Sequence, residues 1–373
     1  MSTAGRPDAT PAPRDIATRL HDAEFVRLVA AATGDALASL GLFAAALDGA
    51  GTPYQASVAA VPDDAARATE ADLTVALGRP LSGADIELGL ASPTSRLAYD
   101  ATAELTSPDP MVALAGLVAD GEVPSGSVLE DAQAAGIGRR PGIAVPTTDM
   151  ADGLAHSTLL HGPFSGDVEA ADELVAGATS TDEPTADDHR RIASLVALAI
   201  AGDERTSARG VEAVERSLRP YIGTPFETVG GYADVLDAVA RTRPGLGVAL
   251  AVGAADRDAV LAAWRDHGAR AHSAINEATT GRYDGLFVVR CGGDAPVGTV
   301  ARLVSSFRSP EPVVLVVGDG QAAVESIDET DAGRVIGDAA AAVGGDGGGT
   351  TARGRARFDD EDAAFVLAFR EAQ

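Results

Sequence analysis

Short apolar runs and longer stretches of helical periodicity take turns along the chain, and their order predicts the fold. Residues 25–32 (FVRLVAAA) form an apolar run that meets Thr33-Gly34-Asp35, and 36–47 (ALASLGLFAAAL) follow with small and apolar residues at helical spacing. This predicts a strand, a tight turn at Gly34, and a helix opened by Asp35 and closed at Gly49-Ala50-Gly51. A helix over 15–24 precedes it, and β-rich runs at 54–61 and 73–78 flank a helical stretch at 63–70. Strands alternating with helices predict a parallel sheet. After a strand-like piece at 84–90 come helices at 96–105, 111–118 and 128–135, then a mostly helical segment, 148–167, broken at Gly162-Pro163. A long amphipathic helix spans 186–201.

The pattern turns polar at 202–208, where we place a domain boundary. Beyond it, helices are predicted at 231–241, 256–279, 297–307, 333–342 and 360–371, with strands at 247–252, 286–290, 312–317 and 350–358. The glycine run 344–349 reads as a flexible connection. The expected architecture is therefore α/β in two domains, 15–202 and 203–373, behind a Pro-rich disordered tail at 1–14. At 373 residues each domain is large enough for its own core.

Composition changes the picture chiefly through charge. The chain has 29 basic and 55 acidic residues, a net charge of −26, and every basic side chain is arginine. With 46% hydrophobic residues and clear periodicity, this is a folded protein and not an acidic disordered one. Surface carboxylates at this density suit a salt-rich cytoplasm, and they remove basic pI as a test for nucleic-acid binding. Local arginine clusters must be read instead. One cysteine, Cys291, at the end of an apolar run, excludes a disulfide framework and reads as a buried thiol. The N-terminus lacks the apolar region of a signal peptide, and no apolar stretch reaches the ~20 residues of a membrane span. The expectation is a cytoplasmic protein with no membrane association.

Candidate chemistry is sparse. His156 and His161 stand five apart, off the i, i+4 spacing of zinc-binding helices. Asp188-His189 opens a polar helix and reads as a solvated cap. No G-x-S-x-G, Walker or dinucleotide-binding fingerprint occurs, and 344–349 lacks the lysine and hydroxyl of a P-loop. The acids at element ends are Asp35, after the first strand, and Asp120, after a helix of small residues. Two acids without a histidine are too few for a two-metal centre. The C-terminal TARGRARF is more telling: on a strand, Arg353, Arg355 and Arg357 share one face, with Gly354, Ala356 and Phe358 on the other. With Gly347, Gly348 and Gly349 before it, this is either a phosphate grip or a solvated edge whose arginines pair with nearby carboxylates.

The order of these features resembles the RecJ-type members of the DHH phosphoesterase superfamily with their DHH-associated C-terminal domain, in an archaeal, halophilic form. The family's first strand ends in Asp-x-Asp-Gly; here Thr33-Gly34-Asp35-Ala36 keeps the second acid and lacks the first. Ala76-Leu77-Gly78 stands where a second acid is usual, and 84–98 hold no histidine where Asp-His-His is expected. Asp120 in LAGLVADG matches the fourth acid. Residues 296–320 and GGDGGGTTARGRARF resemble the C-terminal domain and its glycine-rich, substrate-gripping motif, without the usual histidine. The resemblance implies two α/β domains with a cleft between them, and a family of manganese- or magnesium-dependent single-strand 5′→3′ exonucleases. It also implies a degenerate branch serving as subunits of replication assemblies. With most metal-ligand positions occupied by Thr33, Ala76 and non-histidine residues, this chain is expected in the degenerate branch, with no cofactor. Single-stranded DNA or RNA, or a replication, repair or RNA-processing complex, are then the expected partners. The alternative is an active exonuclease using manganese or magnesium at Asp35, Asp120 and His156 or His161.

Overall fold

A computed structural model describes residues 11–59, 70–90, 92–179, 181, 184–328 and 330–373. In chain order the first half comprises α1 (Pro13–Asp22), β1 (Val26–Ala31), α2 (Gly34–Ala50), β2 (Tyr54–Ala59), β3 (Leu73–Leu77), β4 (Ile86–Leu88), α3 (Thr94–Ala103), α4 (Pro110–Ala119), α5 (Gly126–Ala134), α6 (Met150–His156), α7 (Val168–Ala176) and α8 (Ala186–Gly202). There follow α9 (Ala208–Glu215), α10 (Val229–Thr242), α11 (Pro244–Ala251), α12 (Arg257–Glu277), β5 (Thr279–Tyr283), β6 (Leu286–Arg290), α13 (Val297–Phe307), β7 (Val313–Gly318), β8 (Gln321–Ser326), α14 (Ala332–Ala342), β9 (Asp346–Gly349), β10 (Arg353–Arg357) and α15 (Asp362–Ala372). Residues 63–69 of the helix expected at 63–70 and residues 1–10 of the expected tail lie outside the described residues, and residues 13–14 of that tail are helical, because Pro13 opens α1.

Two sheets organise the described residues. The first is parallel, in the order β2-β1-β3-β4; the second is mixed, in the order β5-β6-β7-β8-β10-β9. The fold is thus α/β with two sheet-centred units, as the alternation of strands and helices predicts. Helix α2 is apolar on every side, and nearly all of it is buried behind the first sheet. In the second sheet β7 (VVLVVG) is buried throughout, because α13 covers one face and α14 with α15 the other. The two larger cores each take side chains from both sides of 202–208. The first adds Phe226 to Trp264 to the parallel sheet; the second packs Ile143 to Val214 against α13, β6 and β7.

Several local expectations are corrected. Residues 247–251 are helical within α11, because Pro244 starts a helix whose Leu246, Val248 and Leu250 pack on the first core. Only Met150–His156 of the 148–167 segment is helical. The glycine run is not a flexible loop: β9 is an edge strand paired with β10, Gly348 opposite Arg355 and Asp346 opposite Arg357. Strand β8 was not expected. It is reached from β7 by a two-residue hairpin, Asp319-Gly320, with both φ angles positive (50° and 71°), the geometry of a type I′ turn. Cys291 is buried, as its apolar surroundings predict. No described helix is long and apolar enough to cross a membrane.

Candidate functional site

A cleft of about 300 Å³ opens between the ends of β1, β3 and β4 in the first sheet and β8, β9 and β10 in the second. The Thr33-Gly34-Asp35 turn forms one wall. Thr33 caps α2 through its Oγ1, which accepts from the Ala36 amide at 3.3 Å. Asp35 is 5% exposed, and its carboxylate accepts from the amides of Thr94 (2.7 Å) and Ser95 (2.9 Å). Pro93 supplies no side-chain cap to α3, so Asp35 caps that helix from across the core. Burial, then the negative charge of Asp120, raises the Asp35 pKa to about 6 against the pull of those hydrogen bonds.

Gly34 sits where no side chain fits, since a Cβ there would lie 2.7 Å from that of Ala119 and 3.0 Å from the Asp237 amide nitrogen. Its own amide donates to Asp237 on α10 at 3.0 Å. Asp237 also accepts two hydrogen bonds from Arg241 (2.8 and 2.9 Å) and one from Arg302 of α13 (3.3 Å). Burial alone would raise its pKa, but the charges of Arg241 and Arg302 outweigh burial and hold the carboxyl well below its usual range. One turn earlier, Asp234 is fully buried and accepts from Thr158 Oγ1 (2.5 Å) and Trp264 Nε1 (2.9 Å). These acids were missed in the sequence. Their signal is Asp234-x-x-Asp237-x-x-x-Arg241, charges at core positions of a helix otherwise made of small and apolar residues.

The opposite wall carries the arginine strand. Gly354 and Ala356 are buried toward α14, so Arg353, Arg355 and Arg357 share the other face of β10 as their alternation predicts. Their roles differ. Arg353 donates to Glu325 at 3.0 Å and to both the carboxylate and, at 3.0 Å, the carbonyl of Asp120 at the end of α4. Arg355 lines the cleft, and its side chain makes no hydrogen bond or ion pair among the described residues. Its guanidinium lies over Gly298 in the first turn of α13, beside Arg241, so that a Cβ on Gly298 would collide with it. Arg357 is exposed and outside the cleft wall. Gly348 and Gly349 line the cleft; Gly347 faces away, toward Ala340 and Ala356.

The residues present do not fit a two-metal centre. Asp35 is taken up by two amides, Asp120 by Arg353, and Ala76 and Thr33 offer no carboxylate. His156 lies apart, its Nδ1 2.9 Å from the Asp152 carbonyl oxygen and its ring edge-on to Trp264. His161 is stacked on His272 in the second unit, with the two Nδ1 atoms 3.1 Å apart. Neither histidine lines the cleft, and no group of three or more His, Cys, Asp or Glu able to hold a metal occurs among the described residues.

Over its full length the chain is 54% identical to Uncharacterized protein rrnAC1427 of Haloarcula marismortui, and it covers all of that protein. The chain belongs to the rrnAC1427 family. Residues 278–371, from β5 into α15, match the family described as the C-terminal domain of rrnAC1427. Among solved structures it is similar to CDC45 from Entamoeba histolytica, with a TM-score of 0.56 at 10% identity, covering 96% of this chain and 97% of that one. That likeness is one of fold. A RecJ–Mg2+ complex from Thermus thermophilus aligns at a TM-score of 0.45 and 13% identity over 96% of this chain; the chain spans about half of that RecJ, 52%. The chain itself has the two-unit α/β architecture expected from the sequence.

Proposed function

We propose that this member of the rrnAC1427 family binds single-stranded DNA or RNA in the cleft between its two sheets, without metal-dependent nuclease activity. The observation that carries the reading is the placement of Arg355. In a chain with 55 acidic residues, this guanidinium has no acidic partner among the described residues and stands at the N-terminus of α13 beside a second arginine. A helix N-terminus repels cations and attracts anions, so Arg355 there, beside an Arg241 already paired with Asp237, makes a locus of positive potential suited to a phosphate. Opposite it, Gly348 leaves the backbone bare, with open space where a side chain would stand.

The fold shared with CDC45 supports a role as a subunit of a replication, repair or RNA-processing assembly, in which the strand is held and not cut. The setting we propose is a salt-rich cytoplasm, in keeping with the net charge of −26. Fluorescence anisotropy with labelled oligonucleotides across a salt series tests the reading. Arg355→Ala is expected to weaken binding about tenfold and to reduce the slope of log affinity against log salt by about 0.7, the loss of one phosphate contact on a single strand. An affinity and slope unchanged by Arg355→Ala would overturn it.

A further inference from the structure

A larger cavity, about 730 Å³, lies on the far side of the Asp120–Arg353 pair, between the end of α4, α9 and α13. Asp120, Glu122, Glu325, Ala352 and Arg353 line both this cavity and the cleft, so the bridge is the partition between two connected spaces. We infer that this cavity is a second phosphate-binding subsite, so that a nucleic-acid strand held at Arg355 continues past the Asp120–Arg353 bridge to Arg302, Ser305 and Arg216. The inference rests on the reading that the cleft holds a strand.

Its support is independent of Arg355. Ser217 and Ser305 are 4% and 3% exposed, line the cavity, and make no side-chain hydrogen bond among the described residues. Both hydroxyl oxygens stay accessible and so stand available to a polar ligand in the cavity. Arg302, in the same wall, binds Thr158 and Asp237 but leaves its buried Nε unpartnered. Arg216 also lines the cavity, and its side chain makes no hydrogen bond or ion pair among the described residues. Its pKa is lowered, first by desolvation and then by the neighbouring Arg302 charge. Glu212 and Glu215 line the cavity as well, and Asp120, Glu122 and Glu325 stand at its partition with the cleft, so the phosphate contacts fall to Arg302, Ser305 and Arg216. Hydroxyls and guanidinium groups together are the usual phosphate contacts of nucleic-acid-binding proteins.

The full chain is tested by anisotropy with three-nucleotide and twelve-nucleotide oligothymidylate and oligouridylate. The Arg216→Ala/Ser305→Ala variant, which removes one side chain without a partner and one hydroxyl, is checked for an unchanged melting temperature. It is expected to weaken the twelve-mers about tenfold and to leave the three-mers within about twofold, whereas Arg355→Ala weakens both. Twelve-mer binding that falls with Arg355→Ala but not with the double variant would overturn the subsite and leave the cleft reading intact. Twelve-mer binding that falls only with the double variant would overturn the cleft reading, and with it the continuous path, and leave the cavity as a phosphate site on its own. No oligonucleotide bound, with a polyglutamate peptide captured in an Arg216-dependent way, would assign the cavity to an acidic protein partner and overturn both.

Discussion

Asp120 and Arg353, 233 positions apart in the chain, are bound to each other across the cleft, with the guanidinium also reaching the Asp120 carbonyl at 3.0 Å. The acid that a metal centre would need and the arginine that a phosphate would need thus satisfy each other. Both side chains are partly exposed, 27% and 37%, so the pair contributes at most about 1 kcal/mol to stability. Its larger consequence is for binding. Asp120→Ala removes a negative charge from the cleft and leaves Arg353 held by Glu325 and the backbone carbonyl of residue 120. The expected outcome is a several-fold gain in oligonucleotide affinity with little change in melting temperature. A loss of affinity on Asp120→Ala would show that the acid orders the site and does not mask it.

Asp237 is expected to be the most costly acid to neutralise. It is 3% exposed and accepts from Gly34, Arg241 and Arg302, joining the β1–α2 turn to α10 and α13. Asp237→Asn keeps an acceptor for the Gly34 amide but leaves two arginines facing a neutral group in the interior. Breaking a buried pair in this way typically costs about 3–5 kcal/mol. Chemical denaturation should show a loss of that order. A change below about 1 kcal/mol would mean the arginines are solvated well enough to stand alone.

Elements were legible where local chemistry determines them and obscure where distant residues do. The strand–turn–helix of β1 and α2 follows from an apolar run, a threonine cap and a glycine. The arginine face of β10 follows from strict alternation. By contrast, the turns after His156 depend on Asp234 capturing the amide and hydroxyl of Thr158 from 76 residues away, which no local pattern announces. Strand β8 was readable but unread, since Asp319-Gly320 after an apolar run is a hairpin signal. At the site, Asp35, Asp120, Gly348, Gly349, Arg353 and Arg355 of the cleft wall were singled out by sequence, with Gly347 and Arg357 that lie off it, but their pairing was not legible. Nothing local distinguishes Arg353, taken by Asp120 and Glu325, from Arg355, which has no such partner.

The raised pKa of Asp35 gives a pH dependence with a definite sign. A carboxyl whose folded pKa lies near 6, above its ordinary 3.8, favours the folded state when protonated. That contribution is complete below about pH 4 and is lost as pH rises through about 6. For two pH units it amounts to about 3 kcal/mol. Asp35→Asn is neutral throughout, so relative to the wild type it should gain stability as pH rises from about 4 to about 7. Thermal melts of both proteins across this range check the point. A constant difference would show that the Thr94 and Ser95 amides keep Asp35 ionised at ordinary pH.

Two adjacent glycines of β9 separate folding from binding. A Cβ on Gly349 would collide with the Arg353 carbonyl across the β9–β10 ladder, so Gly349→Ala forces the strands apart. It should destabilise by about 1–3 kcal/mol, as overpacking does. A Cβ on Gly348 meets nothing within 4 Å and stands in the cleft opposite Arg355. Gly348→Ala should therefore fold normally, and its β-carbon should lower affinity by narrowing the approach to the backbone. Gly348→Val, β-branched and well suited to a strand, should fold at least as well and bind still more weakly. Melting curves and anisotropy on the same samples distinguish the two positions. Equal binding by the Gly348 variants and the wild type would place the strand elsewhere on the protein.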